Sequence, residues 1–288
     1  MAMLLSRFVR DLEVELQTLY PEREAREITL RLCEDFLGVS RFAHILDPQQ
    51  TIPMDRLAGL EDCAARLLKA EPLQYVTGCA HFYGRRFKVS PAVLSPRPET
   101  EELVRLGLEA LPAGGRVLDL CTGSGCIAWT VKLECPCSEV VAVDISSEAL
   151  ETAEGQFEGP APRFIKADVR EPLPLEGEFD LLLSNPPYVL ESEKASMRPN
   201  VLEYEPGLAL FVPDSDPLLF YRALADRSIE LLRPSGEAFM EINENFALPL
   251  VELFESRGFI EVGIVRDFAG KQRILHIRKP APGTAYTE

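Results

Sequence analysis

The chain has 288 residues, 46 % hydrophobic and 26 % charged, a globular composition that excludes a disordered or fibrous protein. This length exceeds one ordinary core, so a large domain with a smaller module is expected. Thirty basic against 46 acidic side chains give a net charge of −16, which opposes the broad attraction to phosphate backbones that nucleic-acid binders need.

Residues 1–72 read as helical. Leu5, Phe8, Val9, Leu12, Leu16 and Leu19 recur at three- and four-residue spacing and form one apolar stripe. Pro21 stops that helix, Ile28 to Phe36 begins another that ends near Gly38, and Leu57, Leu60, Ala64, Leu67 and Leu68 give a further amphipathic series. This module serves either packing or the docking of a partner. In residues 73–97, Tyr75, Val76, Phe82, Tyr83, Phe87 and Val89 favour strands and Gly78 and Gly84 favour turns, which predicts a β-hairpin linker. That linker holds four basic and no acidic residues, so it meets an acidic partner or the acidic segments beside it.

From residue 98 to 288, strands and helices alternate. The strand candidates are Val117–Leu120, Val140–Asp144, Phe164–Lys166, Asp180–Ser184, Glu237–Ile242, Ile260–Arg266 and Arg273–Ile277. Helices are predicted after Gly125, after Ser147, from Asp216 (as a cap before Pro217) through Leu232, and from Phe246 to Arg257. The fold class is therefore α/β: a Rossmann-like, doubly wound, mostly parallel seven-stranded sheet beside a small N-terminal helical domain. The last two strands leave no room for a helix between them and should form an antiparallel hairpin at the sheet edge.

Two segments carry chemistry. Val117-Leu-Asp-Leu-Cys-Thr-Gly-Ser-Gly125 leaves a strand and enters a helix, and Gly123 and Gly125 let the backbone turn tightly and approach a ligand. Asp144 ends the next strand, 19 residues after Gly125, where a carboxylate accepts both hydroxyl hydrogens of a ribose. Together they point to a nucleoside cofactor without saying which, and Gly123-Ser-Gly125-Cys-Ile-Ala128 also satisfies the loose dinucleotide pattern of nicotinamide enzymes. Asp168, after the third strand, offers an acceptor for an adenine amino group. After the fourth strand comes Asn185-Pro186-Pro187-Tyr188, whose prolines stiffen the loop and remove two N–H donors. The Asn185 amide oxygen and the Pro186 carbonyl can then accept both hydrogens of a planar amino group, with Tyr188 as a flat wall beside it.

These segments resemble a class I S-adenosylmethionine-dependent methyltransferase acting on planar amino groups. Gln74-Tyr-Val-Thr-Gly78, Phe82-Tyr-Gly84, Leu94-Ser-Pro-Arg-Pro-Glu-Thr-Glu101, Glu205-Pro-Gly-Leu-Ala-Leu210 and Asp267-Phe-Ala-Gly-Lys-Gln-Arg273 narrow the resemblance to release-factor glutamine N(5)-methyltransferases, the HemK or PrmC type. The resemblance implies methylation of the glutamine in the Gly-Gly-Gln loop of peptide chain release factors, with S-adenosylhomocysteine as by-product. It implies that residues 1–72 dock the substrate. It further implies that Cys121, Thr122, Gly123, Ser124, Gly125 and Asp144 hold the cofactor, with Val169 beside the adenine. Asn185 would contact the transfer centre, and Asn185 through Tyr188 would grip the amide. Cys121 stands where the family usually has glycine, Val169 where an aromatic is common, and Asn243 in place of a glycine.

Several other readings share parts of this pattern. A ribosomal-protein glutamine methyltransferase has the same motifs. A DNA adenine methyltransferase uses the same acceptor chemistry but must flip a base and grip phosphates. A nicotinamide oxidoreductase and a binding module that has lost the reaction are the remaining two. The seven cysteines lack framework spacing and read as reduced thiols of a cytoplasmic protein. No metal site is expected, because Cys135 and Cys137 lack partners to complete one. No apolar run nears the roughly 20 residues that span a bilayer, and Arg7, Arg10 and Asp11 break what would be a signal-peptide core. No direct nucleic-acid or membrane contact is expected, and the protein should be a monomer.

Overall fold

The computed structural model describes residues 3–283; residues 1, 2 and 284–288, which the expected domain limits include, lie outside the described residues. The chain divides into two compact units, one running to Cys79 and including Arg198–Tyr204, the other containing the rest.

The first unit contains helices α1 (Leu5–Leu16), α2 (Glu22–Leu32), α3 (Ala43–Leu46), α4 (Met54–Leu67) and α5 (Leu73–Thr77). Leu5, Phe8, Val9, Leu12 and Leu16 bury the predicted stripe of α1, while Leu19 falls beyond its end and is exposed. Helix α2 starts directly after Pro21, ahead of the expected Ile28. Its first turn is Glu-Arg-Glu, without the apolar spacing that reveals a helix, but Pro21 can accept at its carbonyl from Ala25 and lacks only an N–H that no helix start uses. Gly38, at φ +71°, ends the wider turn that follows α2. Residues 73–77 form helix α5, which corrects the strand reading of Tyr75 and Val76. Pro72 precedes it and Gly78, at φ +67°, terminates it. Val76 is buried in the helical core with Leu60, Cys63 and Leu67, so packing overrides its strand preference. Within this unit Arg198 pairs with Glu24 at 2.7 Å, and the Tyr204 hydroxyl donates to the Lys69 carbonyl at 2.9 Å.

Within residues 73–97, β1 (Cys79–Phe82) and β2 (Arg85–Lys88) pair as a two-stranded sheet. Then follow α6 (Pro98–Ala110), β3 (Arg116–Leu120), α7 (Cys126–Glu134), β4 (Glu139–Asp144), α8 (Ser147–Glu154), β5 (Arg163–Lys166) and β6 (Phe179–Ser184). After the two-residue strand β7 (Val189–Leu190) and the turn of helix α9 (Pro199–Leu202) come β8 (Phe211–Val212), α10 (Leu219–Leu231), β9 (Leu232–Glu241), α11 (Ala247–Ser256), β10 (Ile260–Arg266) and β11 (Gln272–Arg278). Helix α10 begins at Leu219 rather than Asp216. Asp216 closes a turn on Pro213, and its carboxylate pairs with Arg222 instead of capping backbone N–H groups.

The seven-stranded sheet has the order β10-β11-β9-β6-β3-β4-β5, with β11 antiparallel to both neighbours and every other pair parallel. The expected edge hairpin is therefore present. Successive residues of β3 face opposite layers: Val117 packs with Trp129, Phe87 and Leu103, and Leu118 packs with Tyr221, Leu224 and Phe254. The strand is buried on both faces, with Asp119 interrupting its apolar residues Val117, Leu118 and Leu120. From β3 the chain winds outward through β4 and β5, then returns to β6 on the other side. That reversal opens a crevice at the carboxyl ends of β3 and β6.

Candidate active site

The loop leaving β3 carries three left-handed residues: Cys121 at φ +62°, Gly123 at +54° and Gly125 at +76°. At Gly125 a Cβ would meet the Ala153 Cβ at 2.9 Å, so a side chain is excluded sterically as well as conformationally. Cys121 holds its conformation despite a Cβ, which normally costs about 1–2 kcal/mol. Burial pushes its thiol well above the usual range, and the carboxylates of Asp144 and Asp119 push it further. Gly123 and Ser146 donate their backbone N–H groups to the two oxygens of Asp144, at 2.8 and 3.0 Å. The Asp144 carboxylate is thus aimed before any ligand arrives. Burial raises its pKa, and the N–H groups of Ser146, Gly123 and Ile145 act against that. Asp119, on β3, is fully buried. It accepts from the Thr122 hydroxyl at 2.5 Å and the Ala128 N–H at 3.1 Å, and burial pushes it up to about 7.

A cavity of about 350 Å³ lies over these strand ends, within the range of small-molecule sites. Cys121, Thr122, Gly123 and Ser124 line it beneath Asp144. Asp168, Val169 and Asn185, from the ends of the neighbouring strands, line it too. Gly125 does not; it begins α7 behind the loop. Pro187 faces the cavity, whereas Pro186 and Tyr188 are not among its lining residues. The Asp168 carboxylate receives the N–H, Nε and Nη2 of Arg170, which hold its pKa below the usual range. Each of its oxygens thus receives two of these contacts, with Nε shared between them.

Several residues here carried no recognised role in the sequence. Phe220, from the first turn of α10, faces the cavity together with Val169. Nothing in its spacing distinguishes it from a core position. Gln156 is buried and binds the Lys88 N–H at 2.7 Å, the Lys88 carbonyl at 2.8 Å and the Ser124 carbonyl at 3.0 Å, tying the hairpin to the glycine loop. Arg97 grips both oxygens of Glu205 at 2.7 Å and so joins two motif segments at the cavity rim.

The Asn-Pro-Pro-Tyr loop is anchored at both ends. Asn185 donates from Nδ2 to the Thr100 hydroxyl at 3.2 Å, and Thr100 donates in turn to Glu241 Oε2 at 2.8 Å. The Tyr188 hydroxyl donates to the other Glu241 oxygen at 2.7 Å. Asn243 donates to the Tyr188 carbonyl at 3.3 Å, a bond that glycine at this position would lack. Burial raises the pKa of Glu241, while these hydroxyls and the charge of Arg273 favour its ionised form. Thr100 and Glu241 both lie inside motifs legible in the sequence, yet spacing alone does not bring positions 100, 185 and 241 together.

A glycine loop, a pinned acid and an amide aimed into one cavity can hold a nucleoside and a planar amino group side by side. The family model for the methyltransferase small domain matches residues 88–202, and that for the PrmC N-terminal domain matches residues 9–78. The protein is an S-adenosylmethionine-dependent methyltransferase. Its sequence is 41% identical to the release factor glutamine methyltransferase of Bacteroides thetaiotaomicron over 274 residues, 94% of this chain and 99% of that one. The enzyme of that name from Flavobacterium psychrophilum is 34% identical over 283 residues, 96% and 99% of the two chains. The crystal structure of a methyltransferase from Pyrococcus furiosus shares the fold, with a TM-score of 0.52 and 18% identity over 76% of this chain and 99% of that one. The chain belongs to the release factor glutamine methyltransferase family.

Proposed function

We propose that the protein methylates the side-chain amide nitrogen of the glutamine in the Gly-Gly-Gln loop of peptide chain release factors. The observation that carries this reading is Asn185, whose amide lines the same cavity as Asp144 while its Nδ2 is engaged by Thr100, leaving Oδ1 to accept. S-adenosylmethionine supplies, when bound, an electrophilic sulfonium methyl. Asp144 would accept the ribose hydroxyls, Val169 and Phe220 would face the adenine, and Asp168 would accept from its amino group by sharing an oxygen with Arg170. Phe220 offers the aromatic surface that Val169 does not.

An amide nitrogen is a poor nucleophile because its lone pair is delocalised into the carbonyl. Asn185 Oδ1 and the Pro186 carbonyl would accept its two hydrogens, orient it and stabilise the positive charge that develops on attack. No base need remove a proton beforehand, because the cationic nitrogen can release one to solvent after the methyl has moved. Tyr188 shapes this loop from within, through Glu241. The release factor is then the partner. We further expect a monomer working in the cytoplasm without direct nucleic-acid contact, in keeping with the net charge of −16. Among the described residues no helix is long and apolar enough to cross a membrane.

The test is methyl transfer from labelled S-adenosylmethionine to intact release factors carrying Gln or Ala in the loop. Label is expected on the Gln form alone. Equal label on both forms would remove the glutamine assignment, and label on duplex DNA instead would favour the adenine reading.

A further inference from the structure

We propose that Thr100 and Glu241 are positioning residues that set which end of the Asn185 amide faces the substrate. This inference rests on the acceptor role given to Asn185 above. The oxygen and nitrogen of a primary amide have nearly the same size, so rotation by half a turn exchanges them with little change in shape. In one orientation Asn185 offers the substrate N–H an acceptor. In the other it offers a second donor, and the two N–H groups repel.

The hydrogen-bond chain excludes the second orientation. Burial raises the pKa of Glu241, but hydroxyls donate into both of its oxygens, from Thr100 at 2.8 Å and Tyr188 at 2.7 Å. These and the charge of Arg273 favour the ionised form, which has only acceptors. Thr100 has a single hydroxyl hydrogen, and it is directed at Glu241 Oε2 at 2.8 Å. The Thr100 oxygen can therefore only accept from Asn185, which it does from Nδ2 at 3.2 Å. Oδ1 must then point the other way, and Asn185 lines the cavity. Thr100 and Glu241 are each 2 % exposed, so bulk water does not offer Nδ2 an alternative acceptor there. The second Glu241 oxygen holds the Tyr188 hydroxyl at 2.7 Å. One buried carboxylate thus orients the first residue of the Asn-Pro-Pro-Tyr loop and anchors the last.

The experiment uses the full chain, S-adenosylmethionine and intact release factor in single turnovers with both ligands saturating. Thr100→Val keeps the side-chain shape but removes the hydroxyl, and Thr100→Ser keeps the hydroxyl. We expect Thr100→Val to transfer methyl roughly 30-fold more slowly, with Kd for S-adenosylmethionine and KM for the release factor changed less than about threefold. Thr100→Ser should recover to within about threefold of the parent. In an Asn185→Ala background, Thr100→Val should cost nothing further, because the group it orients is gone. A Thr100→Val protein as fast as the parent overturns the relay, as does Thr100→Ser as slow as Thr100→Val, or an undiminished loss in the Asn185→Ala background. Should Thr100→Val fail to fold, Glu241→Gln takes its place, with at least a roughly tenfold loss and the same dependence on Asn185. Failure of the acceptor reading looks different: Asn185→Ala itself would then be as fast as the parent.

Discussion

At the scale of single residues, a buried acid and a half-buried one, Asp119 and Asp144, serve different ends. Asp144 is aimed by Gly123 and Ser146 and keeps acceptor positions toward the cavity. If it takes two ribose hydroxyls, Asp144→Ala should weaken S-adenosylmethionine by roughly 2–3 kcal/mol, about 30- to 150-fold, since bonds to a charged acceptor are the strong ones. Titration calorimetry measures this directly, and unchanged affinity would take Asp144 out of the cofactor site. Asp119 behaves oppositely, because its carboxyl is pushed up to about 7 by burial, only partly opposed by Thr122 and Ala128. A carboxyl whose folded pKa is raised contributes its stability below the unfolded value near 4, and loses it as pH rises through about 7. Asp119→Asn keeps an acceptor for both donors but cannot ionise. Relative to the parent, the Asn protein should gain about 1.4 kcal/mol per pH unit between about pH 4 and pH 7, and nothing beyond. Urea unfolding of both proteins at about pH 5 and about pH 8 checks it; a pH-independent difference would mean that Asp119 is not titrating there.

At the scale of elements, the glycine loop depends on a hairpin far from it in sequence. Gln156 makes three bonds to backbone groups of Lys88 and Ser124 in a buried position. Gln156→Leu fills similar space but strands all three partners, at about 1 kcal/mol or more each, so a loss of roughly 3 kcal/mol is expected in denaturant unfolding. A loss below about 1 kcal/mol would show that water reaches these groups. The seven strands of the large sheet and the helices α7, α8, α10 and α11 were legible because apolar residues recur between Gly, Pro and Asp, whereas α6 and the two-residue strands β7 and β8 were not expected. Helix α5 was not. Its five residues Leu-Gln-Tyr-Val-Thr are too few to display a helical period, and their β-branched and aromatic members carry the opposite preference. The start of α2 was missed for the converse reason, since charged residues without apolar spacing give no period to detect.

At the scale of the whole molecule, every residue lining the cavity lies between Ala92 and Phe220 and within the sheet unit. A chain beginning at Cys79 should therefore bind S-adenosylmethionine within about threefold of the parent. If the helical unit docks the release factor, that chain should label the intact factor at least roughly tenfold more slowly, a modest fraction of what a docking surface can contribute. Calorimetry and methyl transfer read the two properties separately, and full-rate labelling would reduce the helical unit to a packing module.

The residue pattern alone carried the sheet, its edge hairpin, the glycine loop with its acid, and the stiff Asn-Pro-Pro-Tyr loop after the fourth strand. All of these depend on neighbours within about 30 residues in the chain, where apolar period, glycine placement and proline stiffness act locally. Tertiary packing decided the rest. It turned Tyr75 and Val76 into a helix, brought Phe220 beside Val169, and gave Asp168 the donors of Arg170. It also joined Thr100, Asn185, Tyr188 and Glu241 through one buried carboxylate. These residues come from α6, the loop after β6, and the end of β9, which are far apart in the chain and adjacent only because the sheet is wound in both directions from β3. Hydrogen bonds act over about 3 Å, so no spacing rule along the sequence can report them until the strands have been placed side by side.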